Sequence, residues 1–203
     1  MSRRFLALVV GLALALAVVA SLVLTEGSRN AQPQSALIGG PFQLVDTMGR
    51  TVDQSLLRGK WSVVFFGFTH CPDICPTTLF ELAQVETLLG NRAQQVQMVF
   101  ITVDPQRDTV AQMRAYAAND GFPKRLVALT GSAAQVDTAA KSYRVYYQKV
   151  GDGPDYSVNH ASYSYLMNPH GGLACVLPYA LSPEQTADKI KAAMRAGADA
   201  QAC

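Results

Sequence analysis

The sequence predicts an α/β domain layered around a sheet that is parallel in part. Three observations carry this. Apolar, β-branched runs suited to buried strands recur along the chain. Between them lie helix-patterned stretches of about a dozen residues, long enough for the crossovers that parallel neighbours require. Late in the chain, two strand-like runs are separated by Asn168-Pro169-His170-Gly171 alone, a connection short enough only for an antiparallel pair.

Taken in order, Phe42-Gln43-Leu44-Val45 and Thr51-Val52 flank Asp46-Thr47-Met48-Gly49-Arg50, whose glycine suits a hairpin turn. Ser62 to Phe68 reads as a buried strand. Thr77 to Leu89 sets Leu79, Leu82, Val85, Leu88 and Leu89 on one helical stripe. Val96 to Val103 is again a buried strand, and Thr109 to Asn119 a helix for which Asp108 and Thr109 offer a cap. Leu126 to Leu129, Ser132 to Tyr143, Val145 to Val150, Ala161 to Met167 and Gly172 to Leu177 continue as strand, helix, strand, strand, strand. Pro183 to Ala196 closes as a helix, with Ser182 at its N-cap and Pro183 in its first turn. The arrangement is thioredoxin-like: a central mixed sheet with flanking helices and an N-terminal hairpin. No internal repeat is visible.

The domain occupies residues 37–197, followed by a tail at 198–203. Ahead of it, Phe5 to Leu24 is a run of 20 residues without a charge. As a helix it spans about 30 Å, the thickness of a bilayer core. A cleavable secretory signal is the rival, and Val18-Val19-Ala20 offers small residues for it. The run exceeds the roughly 7–15 residues of a signal core, which favours a transmembrane anchor. Arg3 and Arg4 keep the tip, residues 1–4, in the cytoplasm. Residues 25–36 are small and polar, and read as a linker. The domain is then expected outside the cytoplasm.

With Arg3, Arg4, Arg29 and Glu26 set aside, the 17 Lys plus Arg and 15 Asp plus Glu fall to 14 of each, so the domain is formally neutral. It carries no electrostatic footprint for nucleic acid.

The chemistry concentrates in Phe65-Phe66-Gly67-Phe68-Thr69-His70-Cys71-Pro72-Asp73-Ile74-Cys75-Pro76, between the first long strand and the first long helix. A helix start presents free N–H groups and the positive end of the dipole, both favourable to a thiolate. Pro76 fits the first turn, where its missing N–H costs nothing. Three readings compete: structural cysteines, a redox pair or metal ligands. Redox motifs of thioredoxin-like proteins place two residues between the cysteines. Cys71 and Cys75 have three between them, which leaves room for an ion without excluding a disulfide. Cys175, in an apolar strand, reads as core filler, and Cys203 as a thiol on the tail.

Three histidines compete as a further ligand. His70 directly precedes Cys71, so its side chain is expected to point away from the sulfurs. His170 lies in a turn between strands. His160 sits on a loop entering a strand far downstream. Asp73, between the cysteines, reads as a hydrogen-bond acceptor for loop amides or an acidic contact for a partner.

Gly39-Gly40-Pro41-Phe42, the Gly67–Pro76 block, Val103-Asp104-Pro105-Gln106-Arg107-Asp108-Thr109 and His160-Ala161 together resemble the Sco/SenC family of membrane-anchored copper-delivery proteins for cytochrome c oxidase assembly. The resemblance covers residues 37–195. It implies a copper site made by Cys71, Cys75 and His160 and able to take Cu⁺ and Cu²⁺. It implies delivery to the dinuclear copper centre of cytochrome c oxidase subunit II, with an upstream periplasmic copper donor and a thiol reductant as further partners. Asp104 then reads as a residue that buttresses the ligands or docks a partner. The trio is chemically coherent, since thiolates favour cuprous ion and imidazole extends the site to cupric ion.

The leading alternative is a thiol–disulfide reductase with Cys71 attacking and Cys75 resolving, in which His160 has no obligatory role. A peroxidase of the peroxiredoxin kind and a redox or copper sensor are weaker alternatives. The expected location is the bacterial inner membrane, with the domain facing the periplasm. There the pair stays reduced only if a dedicated reductant acts on it.

Overall fold

In the computed structural model the described residues are 38–198. The expected anchor, its cytoplasmic tip and the linker fall outside them. Among the described residues no helix is long and apolar enough to cross a membrane.

Nine strands and four α-helices follow one another. They are β1 (Gln43–Asp46), β2 (Thr51–Asp53), β3 (Trp61–Gly67), α1 (Ile74–Leu89), β4 (Val96–Thr102), α2 (Val110–Ala117), β5 (Leu126–Thr130), α3 (Ala133–Ser142), β6 (Tyr147–Val150), β7 (Ser157–His160), β8 (Ser164–Met167), β9 (Leu173–Leu177) and α4 (Pro183–Ala196). Seven strands form one sheet in the order β2-β1-β5-β4-β3-β8-β9. β3, β4 and β5 run parallel to their neighbours in that trio, and the outer pairings are antiparallel. The mixed sheet of the sequence reading is therefore present.

β3 and β4 are buried along their whole length, as strands covered on both faces must be. Alternation sends successive side chains to opposite faces. Phe65 stacks on Phe100 at 5.9 Å on the face toward α1, while Phe66 meets Tyr143 and Tyr165 on the other. Each such ring removes about 1.5–3 kcal/mol worth of apolar surface from water. α1 buries Leu79, Leu82, Val85 and Leu89 and packs along α4. Leu88, placed on the same stripe by its spacing, stands outside it, 39% exposed.

Both late helices start with a capping box, Ser132 with Gln135 and Ser182 with Gln185, and Pro183 lies in the first turn of α4 as expected. Thr109 alone caps α2, accepting from the Gln112 amide; Asp108 is buried and occupied elsewhere. Two further departures bear on function. The first long helix begins at Ile74 rather than Thr77, which takes Cys75 into its first turn. His160 is not on a loop: it ends β7, a strand missing from the sequence reading, whose partner is β6. The β6–β7 pair forms a separate two-stranded sheet.

The cysteines also divide. Cys71 and Cys75 are free. Cys175 on β9, expected as core filler, is buried but disulfide-bonded. The chain's fourth cysteine, Cys203, lies outside the described residues.

Candidate metal centre

β3 and β4 end side by side, with Gly67 opposite Thr102 and the Val103 amide donating to the Gly67 carbonyl at 2.8 Å. The cysteine loop and the Asp104–Asp108 loop therefore leave the sheet together. Asp108, fully buried, binds them to each other. Its carboxylate accepts from the Thr69 amide (3.0 Å), the Thr69 hydroxyl (2.6 Å) and the Thr102 hydroxyl (2.6 Å). Ligands in such sheets gather at the carboxyl ends of the strands.

The loop then turns into α1. Asp73 holds the N-cap position but its carboxylate makes no capping bond; it accepts from the Thr77 hydroxyl at 3.3 Å. The Cys75 amide, in the first turn, donates instead to the Cys71 sulfur at 3.4 Å. A sulfur thus does the work of a helix cap, at the end of the dipole that favours negative charge.

Cys71 is half-buried and Cys75 buried, and their acidities split. The Cys71 thiol is pulled down to about 5. Foremost the Cys75 thiol donates to it, against the cost of its own burial; the Cys75 and Asp73 amides and the field of His160 add to the shift. Cys75 is pushed strongly upward, because its proton is shared with the Cys71 sulfur and because it is buried. The metal-free pair is one thiolate and one thiol holding a proton between them.

His160 closes the group. Its Nε2 lies 3.4 Å from the Cys75 sulfur, and its Nδ1 lies 2.8 Å from the Ala161 carbonyl oxygen. A carbonyl can only accept, so Nδ1 carries the proton and Nε2 presents its lone pair toward the sulfurs. Phe65 and Phe68 meet the imidazole edge-on, with centroids at 6.1 and 5.8 Å. The ligand atoms of Cys71, Cys75 and His160 all lie within 4.8 Å of one another. The cleft beside them, about 380 Å³, opens between Pro72 and Ile74 on one side and Ser157 and Asn159 on the other.

Other candidates do not join the cluster. His70 is 45% exposed at its side chain, with Nδ1 beside the Thr69 hydroxyl at 3.1 Å. His170 is exposed in the β8–β9 turn. Asp104 is 4% exposed, with one carboxylate oxygen taken by Arg107 Nε (2.6 Å) and the other by the Tyr156 hydroxyl (2.5 Å). Both of its carboxylate oxygens are thus engaged within the chain. Tyr156 and Arg107, which engage them, were not among the candidate site residues, since the contacts of Tyr156 with Asp104 and of Arg107 with Pro154 join residues far apart in sequence.

Two soft sulfurs and one borderline nitrogen form a donor set suited to copper in either oxidation state. Fold and site define a thioredoxin-like domain with a thiol–thiol–imidazole group at the mouth of its first parallel βα unit. Residues 30–195 match the SCO1/SenC family model, and the chain belongs to that family. It is similar to the mitochondrial SCO1 homolog 1 of Arabidopsis thaliana, with 46% identity over 136 residues, 66% of this chain and 40% of the relative. Among solved structures, copper-bound ScoI of Bradyrhizobium japonicum is 42% identical, with a TM-score of 0.70 over 76% of this chain and 98% of that one. Copper-bound yeast Sco1 is 36% identical, with a TM-score of 0.74 over 81% and 92%. The chain spans between 40% and 63% of the length of the curated relatives from Arabidopsis, cattle, human and mouse.

Proposed function

We propose that this protein is a copper chaperone that holds the ion through Cys71, Cys75 and His160 and delivers it to the dinuclear copper centre of cytochrome c oxidase subunit II. The observation that carries the reading is the convergence of the three ligand atoms within 4.8 Å at one cleft. Copper bound in relatives of 42% and 36% identity supports the choice of metal. The oxidase partner rests on the family resemblance.

Copper is the cargo here. The half-buried Cys71 thiolate faces the cleft and is the sulfur through which copper can be gained or handed on. Cys75 gives up its proton on loading, because a ligating cysteine must be deprotonated. His160, with its free nitrogen fixed toward the sulfurs, supplies the donor that cupric ion favours. Handover proceeds by exchange of one ligand at a time with an acceptor bearing its own thiolates. An upstream copper donor and a thiol reductant complete the cycle. We place the anchor at residues 5–24 in a bacterial inner membrane, with the domain facing the periplasm.

The acidity split supports thiol–disulfide reduction as a second reading. The Cys71 thiolate attacks a substrate disulfide, forming a mixed disulfide and releasing one substrate thiolate, which takes up a proton. Cys75, deprotonated, then attacks Cys71, releasing the second substrate thiol and leaving a Cys71–Cys75 disulfide. The substrate gains two electrons, and an external dithiol must restore the pair.

Copper titration of the reduced protein and its His160→Ala variant, with absorption in the cupric–thiolate charge-transfer region, tests both. One copper per chain, with the cupric signal lost in the variant and cuprous binding retained, upholds the chaperone. Disulfide reduction by both proteins, with copper held by neither, replaces it with the reductase.

A further inference from the structure

The third ligand rides on an element that the main sheet does not hold. β6 and β7 pair only with each other: Tyr147 opposite His160, and Lys149 opposite Val158. Val158 packs into the core, and a cavity of about 140 Å³ opens beside the hairpin against Val103 and Pro105 at the end of β4, so packing alone holds it only in part. A group of side chains does the rest. Tyr156, immediately before β7, is 9% exposed and lies between two cations, the Arg107 guanidinium at 3.6 Å and the Lys149 ammonium at 3.9 Å from its ring centroid. Its hydroxyl donates to Asp104, which also accepts from Arg107 Nε. Arg107 Nη1 donates to the Pro154 carbonyl at 3.3 Å, reaching the β6–β7 connection a second time. The Arg107 guanidinium also lies 5.9 Å from the Phe68 ring, which borders His160.

The geometry points to Tyr156, Asp104 and Arg107 as a latch between the sheet and the hairpin. These positioning residues set how closely His160 approaches the two sulfurs, and through it the site's capacity for cupric ion. Asp104 and Arg107 sit in the loop after β4, the strand whose end is tied to the cysteine loop through Asp108. Tyr156 sits four residues from His160, just before the strand that carries it. Latch and sulfurs therefore share one rigid base, and the imidazole is hung from that base by a ring between two cations. Cation–π contacts and hydrogen bonds to a charged group can hold a hairpin of two four-residue strands and still be undone locally.

The inference rests on the copper reading of Cys71, Cys75 and His160. Its test pairs a metal-free measurement with two metal-bound ones. In the reduced full-length protein, Tyr156→Ala removes the ring and its hydroxyl, leaving only the Arg107–Pro154 bond across the latch, and Tyr156→Phe removes only the bond to Asp104, which keeps a folded variant in hand. Amide exchange without metal is expected to rise at least tenfold across residues 147–160 and to stay unchanged in β3 and β4. Cupric affinity, read from charge-transfer absorption, is expected to fall about 10–100-fold, the range for losing a residue that orients a ligand. Cuprous affinity, read by competition with a cuprous chelator, is expected to stay within about threefold, because the thiolates suffice for that ion. In the His160→Ala background, Tyr156→Ala is expected to cost no further cupric affinity, the mark of two residues acting as one. Tyr156→Phe should fall between wild type and Tyr156→Ala.

Equal losses for both oxidation states, or additive losses with His160→Ala, overturn the latch in favour of a general structural role. Unchanged cupric affinity in Tyr156→Ala overturns it outright. Wild-type protein that holds no copper sinks the copper reading instead. The latch is then judged by exchange alone: faster exchange confined to the hairpin keeps it, and unchanged exchange overturns it.

Discussion

Two regions supply the candidate ligands, and they are built by different means. The cysteine loop is continuous with β3 and α1, buried elements of a seven-stranded sheet, and is tied to β4 by the Asp108 carboxylate. The histidine hairpin is a sheet of its own, joined to the rest by side chains. Backbone ladders fix positions cooperatively, whereas a few side-chain contacts can open locally at modest cost. The contrast teaches a division of labour: the two sulfurs are held by the main sheet, and the imidazole is held by contacts that can open locally.

The comparison breaks most visibly if the sulfurs prove dispensable. Cys71→Ser or Cys75→Ser should each lower cuprous affinity by at least about a thousandfold, since a hydroxyl is a poor donor for a soft ion; chelator competition reads this. Retention of tight binding by either variant removes the rigid half of the contrast. Next in size is Asp108→Ala. It removes the acceptor of the buried Thr102 hydroxyl and of the half-buried Thr69 amide and hydroxyl, at about 1–3 kcal/mol for a buried unsatisfied group, and denaturant unfolding should show a loss of a few kcal/mol. An equivalent change on the hairpin, Tyr156→Phe, should cost far less stability, and similar losses would erase the distinction.

Gly67→Ala sharpens the same point. A Cβ there would stand 2.8 Å from both the Cys75 sulfur and Phe100 Cε2, with little room to yield. Overpacking of this kind costs about 1–3 kcal/mol, measurable as a lower unfolding midpoint. It should also displace the Cys75 sulfur and weaken cuprous binding.

The acidity split gives a pH signature confined to the loop. Cys71 ionises at about 5, so in the reduced, metal-free protein its alkylation rate should rise with pH up to about that value and level off above it. Cys75, pushed upward, should resist alkylation throughout. A midpoint above pH 8 for Cys71, read by mass spectrometry, would show that the sulfur is not held as a thiolate. The smallest effect is a control: Ser182→Ala removes the α4 cap, costs about 1 kcal/mol and should leave copper binding untouched.

The strands and helices of the main sheet were legible because their apolar periods are long and unbroken. β3 and β4 read as buried strands almost to the residue, and Ser182 with Pro183 marked the start of α4. β7 was not legible: Ser157-Val158-Asn159-His160 offers a single buried apolar residue, too little pattern for a strand. The start of α1 was placed late because the segment between the cysteines read as loop up to Pro76, whereas the helix begins at Ile74. Among site residues, Cys71 and Cys75 announced themselves by spacing, and His160 entered through family likeness. The roles of Arg107 and Tyr156 depend on partners about fifty positions apart, a separation no local pattern encodes. Asp108 read as a helix cap because caps and buried struts draw on the same residue types.

One feature bears on how cargo leaves. On the proposed chaperone reading, the sulfur that takes up copper is also the group that caps α1. When Cys71 shares its charge with a bound cation, the first turn of the helix loses part of its acceptor; when the ion departs, the helix recovers it. A cap is worth about 1 kcal/mol, close to a fivefold change in an equilibrium constant. The empty protein is thus the better-capped one, and the helix behind the loop acts as a light spring that pushes toward release.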